Sequence, residues 1–90
     1  MRFEWDEAKR AANLAKHGVD FAAVESFDFE SAIVTTDDRD VYEEPREIAL
    51  GFIGVRLHIL IFTWRNDVVR VISLRKANSR EVKIYERITT

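Results

Sequence analysis

The chain has 90 residues, of which 47% are hydrophobic, and this is enough for one compact core but not for two. The absence of cysteine excludes a disulfide framework and a thiolate nucleophile, and two histidines without ligand spacing predict no zinc site. Acidic residues occupy the N-terminal region where a signal peptide needs an apolar run, and no window has the apolar length of a membrane span. We therefore expect one cytoplasmic domain over residues 1–90, neither exported nor membrane-spanning.

The net charge of −2 conceals a strong asymmetry along the chain. Residues 20–47 hold ten anions and two cations, whereas residues 56–90 hold eight cations and three anions. A local basic surface can attract a polyanion even when the whole chain is slightly acidic. Scattered salt bridges on a solvated surface are the simpler interpretation of the same pattern.

The first elements are a short strand and a helix. Phe3 and Trp5 alternate with polar residues, as in a short strand or an extended arm that places two aromatic rings on the core. Asp6 is a good N-cap and Gly18 a good residue to end a helix, so the sequence predicts a helix over residues 7–17.

Polar side chains form one stripe on this helix. Lys9, Asn13 and Lys16 share a face because they are four and three residues apart, and His17 extends the stripe to the helix end. The lysines can be plain solvated residues, and His17 can simply complement the helix dipole. The alternative is that the stripe contacts phosphate and that His17 transfers a proton.

A second short helix is expected over residues 21–27, with Asp20 as its N-cap, followed by a strand over residues 31–36. Residues 37–45 are acidic and end at the only proline, which is typical of a loop. The aspartates of this loop lack the central glycine and the glutamate of a calcium loop, so we expect no metal site there.

The C-terminal half predicts a three-stranded meander and a helix. Strands over residues 46–53 and 56–65 flank Gly54, and a turn leads to a strand over residues 68–75. Asn78 then caps a helix whose buried stripe is expected to contain Ile84, Tyr85 and Ile88. The predicted fold is α+β: a four-stranded antiparallel sheet, with room for a short extra N-terminal strand, packed on one face against two N-terminal helices and one C-terminal helix.

The last predicted strand is rich in cationic residues. Ser73 and Arg75 share one face by alternation, and we expect this face to be left uncovered by the helices. In a regular strand Arg70 lies on the opposite face, so it joins Arg75 only at a twisted strand edge. Lys76 follows at the strand exit. Three cations and a hydroxyl on so short a strand favour contact with phosphate.

Three groups of residues together resemble the BrnT family of toxins from bacterial type II toxin-antitoxin systems. They are Phe3-x-Trp5-Asp6-Glu7-x-Lys9-x-x-x-Asn13-x-x-Lys16-His17-Gly18-x-x-Phe21, Arg46 with Gly51, and Arg70-x-Ile72-Ser73-x-Arg75-x-Ala77 with Glu81 and Tyr85. The resemblance implies a RelE-like fold, ribonuclease activity, and neutralisation by a BrnA-like antitoxin. Such an antitoxin usually carries a ribbon-helix-helix domain, so operator DNA would be reached only through it and the assembly would be hetero-oligomeric.

Metal-independent RNA cleavage suits these side chains, because the neighbouring 2′-hydroxyl attacks the phosphorus and no cofactor is needed. The predicted catalytic residues are His17, Arg70, Ser73 and Arg75. The predicted RNA-binding residues are Lys9, Asn13, Lys16, Arg46, Arg65 and Lys76. Within an apolar strand, His58 is expected to be a satisfied sheet residue.

Two other functions stay open at this point. The basic strand can belong to a non-catalytic binding module, or to an inactive toxin that acts as a transcriptional corepressor with its antitoxin. Tyr85 is expected in the core, although its hydroxyl can reach a site, and Trp64 is expected to pack on the sheet rather than stack on a base.

Overall fold

The computed structural model describes residues 1–90 as one sheet with helices on both of its faces. The elements in chain order are β1 (Arg2–Glu4), α1 (Glu7–His17), a 3-10 helix (Phe21–Ser26), β2 (Ile33–Asp37), β3 (Arg46–Ile53), β4 (Arg56–Arg65), β5 (Val68–Lys76) and α2 (Ser79–Thr89).

The sheet has five strands in the order β1-β5-β4-β3-β2. The four later strands pair antiparallel, as predicted, and the short N-terminal strand is present. It pairs parallel with β5, so the sheet is mixed. The predicted second helix is a 3-10 helix, and Asp20 caps it through Ala22 N–H as expected. No helix is long and apolar enough to cross a membrane.

The two faces of the sheet carry two separate cores. On the first face, the 3-10 helix buries Phe21 and Val24 against β4 and β5. On the second face, Tyr85 of α2 packs with Leu50 and Ile59. The prediction that all helices cover one face is therefore wrong. Since β3 and β4 are apolar at successive positions, as strands buried on both faces are, each face needs a helix to cover it.

A β-bulge changes the face on which Arg70 lies. Ser73 pairs with Ile61, but Val71 pairs with the next residue of β4, so Ile72 has no partner. The extra residue shifts the alternation of side chains between the two faces by one position. Arg70 and Ser73 therefore lie on the same, second face, and the expectation from a regular strand is wrong at this point.

The C-terminal helix begins as predicted and is rotated relative to the prediction. Asn78 and Glu81 form a reciprocal capping box. Tyr85 is buried, but Ile84 is 40% exposed and Ile88 is 61% exposed, because the helix turns Val82 and Tyr85 toward the sheet. The predicted buried stripe is thus correct only for Tyr85.

Candidate active site

The second face of the sheet is apolar at one end and polar at the other. Its apolar end lies under α2, whereas strand pairing brings basic and hydroxyl side chains to the other end. Arg70 is opposite Thr63, Ser73 is opposite Ile61, and Arg46 is opposite Asp37 of the edge strand. The polar end carries four of the predicted site residues, Arg46, Arg65, Arg70 and Ser73, whereas Arg75 lies opposite Ile59 beside the start of α2.

A cavity of about 240 Å³ opens among these side chains. Four cations line it, from one helix and three strands: Lys9, Arg46, Arg65 and Arg70. The acidic segment 38–45 forms its other wall with Tyr42, Glu43 and Glu44. The cavity is thus cationic overall but has carboxylates on one side.

A second cavity of about 240 Å³ lies between α1 and β5. The walls of this cavity include Lys9, Asn13, Lys16 and His17 from the predicted stripe of α1, and Ile72 and Ser73 from β5. Lys9 and Ile72 belong to both cavities, so the two form one continuous groove. We call it the basic groove.

Asn13 fixes α1 against the open edge of β5. Its side chain is buried, with 7% of the residue exposed, and its Nδ2 donates to Leu74 O at 2.7 Å and to Val19 O at 3.0 Å. In return, the Leu74 N–H donates to Asn13 Oδ1 at 3.3 Å. The side-chain amide of Asn13 is therefore hydrogen-bonded to the main chain, and these bonds hold α1 in position beside the groove.

Arg75 is held by a carboxylate of α2. Two parallel hydrogen bonds, of 2.8 and 2.7 Å, join its guanidinium to Glu81, and they raise the pKa of Arg75 although burial and the nearby charge of Arg39 act against them. Glu81 also accepts from the Asn78 N–H in the capping box. The start of α2 thus fixes the orientation of Arg75.

The arginines that line the groove differ in their partners. Arg70 donates to Glu4 at 2.6 Å, and Arg65 donates to Glu44 at 2.7 Å. The guanidinium carbon of Arg46 lies 4.0 Å from the centre of the Tyr42 ring. Among the cations of the groove, Lys9, Lys16 and Arg46 form no ion pair with a carboxylate.

His17 is the titratable group best suited to accept a proton here. It ends α1, where Gly18 adopts a left-handed conformation with φ of 71°. Partial burial lowers the pKa of His17, and the positive charges of Lys16 and Arg75 lower it further. Since its ordinary pKa is 6.5, the imidazole is neutral at pH 7.

Several residues named from the sequence lie away from the groove. Lys76 pairs with His58, so it projects from the first face, opposite to Arg75. His58 is buried and its Nδ1 lies 2.8 Å from Arg56 O, as expected for a satisfied sheet residue. Tyr85 donates to Ser31 O at 2.8 Å, and Trp64 is half exposed and packs edge-on against Phe62.

The acidic segment is the part of the site that sequence reasoning missed. Arg39 donates two hydrogen bonds of 2.8 Å to Asp37, which is buried, and they lower the pKa of Asp37 to about 2. This pair anchors the start of the segment, and Glu44 anchors its end through Arg65. The four-residue spacing of Tyr42 and Arg46 was the one signal in the sequence that could have indicated the role of this segment.

No group of three His, Cys, Asp or Glu side chains in the structure could hold a metal ion.

Comparison with known proteins identifies one family. The sequence model described as a ribonuclease toxin, BrnT, of a type II toxin-antitoxin system matches residues 5–81. This range contains every residue of the basic groove. A search of curated proteins gave no match.

Proposed function

The chain belongs to the BrnT family of ribonuclease toxins of type II toxin-antitoxin systems, and from this premise we propose that the basic groove cleaves RNA without a metal ion. The observation that carries the proposal is the continuity of the groove. It joins a neutral histidine and a hydroxyl, from His17 and Ser73, to four cations that can hold successive phosphates.

In this proposal the scissile phosphate lies between His17, Ser73 and Arg75. His17 and Ser73 line the same cavity, and the charge of Arg75 acts on the imidazole. His17 takes the proton from the 2′-hydroxyl, whose oxygen attacks the phosphorus and expels the 5′-oxygen. Arg75 and Lys16 stabilise the negative charge that grows on the phosphoryl oxygens. The departing 5′-oxygen takes a proton from water, so the products are a 2′,3′-cyclic phosphate and a 5′-hydroxyl.

Arg70, Arg65 and Arg46 have a binding role in this proposal. They line the first cavity together with Lys9, next to the cavity that contains Ser73. Their phosphate contacts would set the position of the RNA chain and thereby align the attacking 2′-oxygen. Asn13 acts as a positioning residue, because main-chain groups already occupy its amide.

The test is cleavage of a defined RNA by the purified protein in EDTA, followed by analysis of the new ends. The proposal predicts 2′,3′-cyclic phosphate ends, and it predicts that His17→Gln slows cleavage by a factor of about 100 or more. Ends that carry a 3′-hydroxyl and a 5′-phosphate would contradict attack by the 2′-oxygen. Full activity of His17→Gln would remove its role as the base.

The alternative is a binding module without catalysis. It is favoured by the ion pairs of the groove, since Arg65, Arg70 and Arg75 are each matched by a carboxylate in the free chain. These three arginines can exchange their partners for the acidic groups of another macromolecule. This function predicts partner binding that depends on Arg75 and no RNA cleavage by the wild type.

A type II toxin has a protein antitoxin as its partner, and we propose that this antitoxin is BrnA-like, with a ribbon-helix-helix domain that contacts operator DNA. The outer side of α2 is suited to it. Five exposed side chains at helical spacing form a basic and apolar stripe without a carboxylate: Arg80, Lys83, Ile84, Arg87 and Ile88. An acidic amphipathic segment of the antitoxin complements this stripe in both charge and hydrophobicity.

The stripe can be tested apart from the groove. Aspartate in place of both Ile84 and Ile88 should abolish neutralisation by the cognate antitoxin and leave RNA cleavage unchanged. Neutralisation at the wild-type level by this double variant would place the antitoxin elsewhere.

A further inference from the structure

We propose that the cavity of the basic groove lined by Arg46, Arg65 and Arg70 binds a nucleobase, and that it selects guanine next to the scissile phosphate. This inference rests on the proposed ribonuclease function and adds to it a substrate preference. The cavity of about 240 Å³ is larger than one phosphate group needs, and its walls differ from those of a phosphate site in two respects.

The first difference is a planar stacking surface. Arg46 lies over the Tyr42 ring, with 4.0 Å between the guanidinium carbon and the ring centre, and both residues line the cavity. Arg46 forms no ion pair with a carboxylate, so aromatic packing rather than charge pairing orients its guanidinium plane. Unpaired RNA bases stack on such aromatic and guanidinium planes.

The second difference is the presence of carboxylates. Glu43 and Glu44 also line the cavity, and their carboxylates have no favourable contact to make with a phosphate held by the arginines. Arg65 holds Glu44 at 2.7 Å, while Glu43 is exposed and forms no ion pair. These oxygens accept hydrogen bonds, and a base with adjacent N–H donors is the part of RNA that can supply them.

The pattern of donors distinguishes the four bases. The Watson–Crick edge of guanine presents N1–H and N2–H side by side, which matches the two oxygens of one carboxylate. Adenine and cytosine place an acceptor nitrogen beside their amino group, and uracil places carbonyl oxygens on both sides of its N–H. A carboxylate is therefore repelled in part by these three bases and satisfied by guanine.

The bulge of β5 connects this subsite with the chemistry. Ile72 is the unpaired residue of the bulge, and its side chain borders both cavities. It offers an apolar edge to a base in the cavity lined by Arg46, while Ser73 lines the other cavity. Lys9 also borders both cavities and can hold the phosphate that links the two positions.

The experiment is a calorimetric titration of the full chain with four ribonucleoside 3′-monophosphates and with inorganic phosphate. We expect guanosine 3′-monophosphate to bind at least about tenfold more tightly than the uridine nucleotide. Glu43→Gln and Glu44→Gln should reduce this ratio, singly or together. Glu86→Gln is the matched control, because it makes the same charge change on the exposed surface of α2 and should preserve the ratio.

Cleavage mapping on a mixed-sequence RNA separates this proposal from the ribonuclease itself. Equal affinities for the four nucleotides, or a guanine preference that survives both glutamine variants together, would overturn the subsite. Cleavage without base preference would do the same and leave the ribonuclease intact. Guanine-selective binding without any cleavage would preserve the subsite and overturn the ribonuclease.

Discussion

Replacing Asn13 by alanine should destabilise the protein, although the residue lies on a helix where alanine is intrinsically better. The substitution removes two hydrogen bonds to main-chain carbonyls and leaves the Leu74 N–H without its acceptor. An unsatisfied buried group costs about 1–3 kcal/mol, and lost neutral hydrogen bonds add about 0.5–1.5 kcal/mol each. The higher helix propensity of alanine offsets up to about 0.7 kcal/mol.

We therefore expect the free energy of unfolding to fall by about 1–5 kcal/mol, and in a domain of this size each kcal/mol lowers Tm by roughly 4–8 °C. Urea denaturation followed by circular dichroism measures the difference. Lys16→Ala is the control, because this lysine is on the same helix, exposed and unpaired, and its loss should change stability by less than about 0.5 kcal/mol. Equal stability of the two variants would refute the account of Asn13.

Asn13→Asp sharpens the same test. The carboxylate keeps an acceptor for the Leu74 N–H but presents an anion to the carbonyls of Leu74 and Val19. Burial should raise the pKa of this carboxyl in the folded state above its unfolded value of about 3.9. The variant should therefore be less stable than Asn13→Ala at pH 7, and its stability should recover as the pH falls through the raised pKa.

Three further predictions concern the core, the pH dependence and the orientation of Arg75. Gly51→Ala should cost about 1–3 kcal/mol in urea denaturation, because the new Cβ would meet the buried Phe27 ring at 2.7 Å; wild-type stability would contradict this packing. Because the pKa of His17 is lowered from 6.5, the rate of cleavage should fall at acid pH with a midpoint below pH 6.5; a midpoint above 6.5 would contradict His17 as the base. Glu81→Gln should lower kcat by about tenfold through a loosened Arg75, with a fold retained by circular dichroism; unchanged kcat would mean that the ion pair has no positioning role.

Local signals in the sequence were sufficient for most of the element bounds. Asp6 and Gly18 determine both ends of α1, and the turn at Gly54 determines the bounds of β3 and β4. Caps and tight turns act within a few residues, so they can be recognised without knowledge of the fold. The same holds for the capping box of Asn78 and Glu81.

The missed features depend on contacts between distant parts of the chain. The bulge at Ile72 exists only in the register of β5 against β4, and it decides that Arg70 joins Ser73. The approach of Glu44 to Arg65 spans 21 residues, so the sequence alone predicts only a loop for the acidic segment. Lys76 follows Arg75 in the sequence, which suggests a shared role, but strand alternation places the two side chains on opposite faces.

This opposition between Arg75 and Lys76 provides the most direct test of the central claim. Purified wild type, Arg75→Ala and Lys76→Ala are incubated with total RNA in EDTA, after circular dichroism has shown that all three are folded. If Arg75 stabilises the transition state, the wild type and Lys76→Ala cleave the RNA, and Arg75→Ala loses at least about 100-fold in rate. No cleavage by the wild type, or equal losses in the two variants, would contradict a metal-independent ribonuclease site built around Arg75.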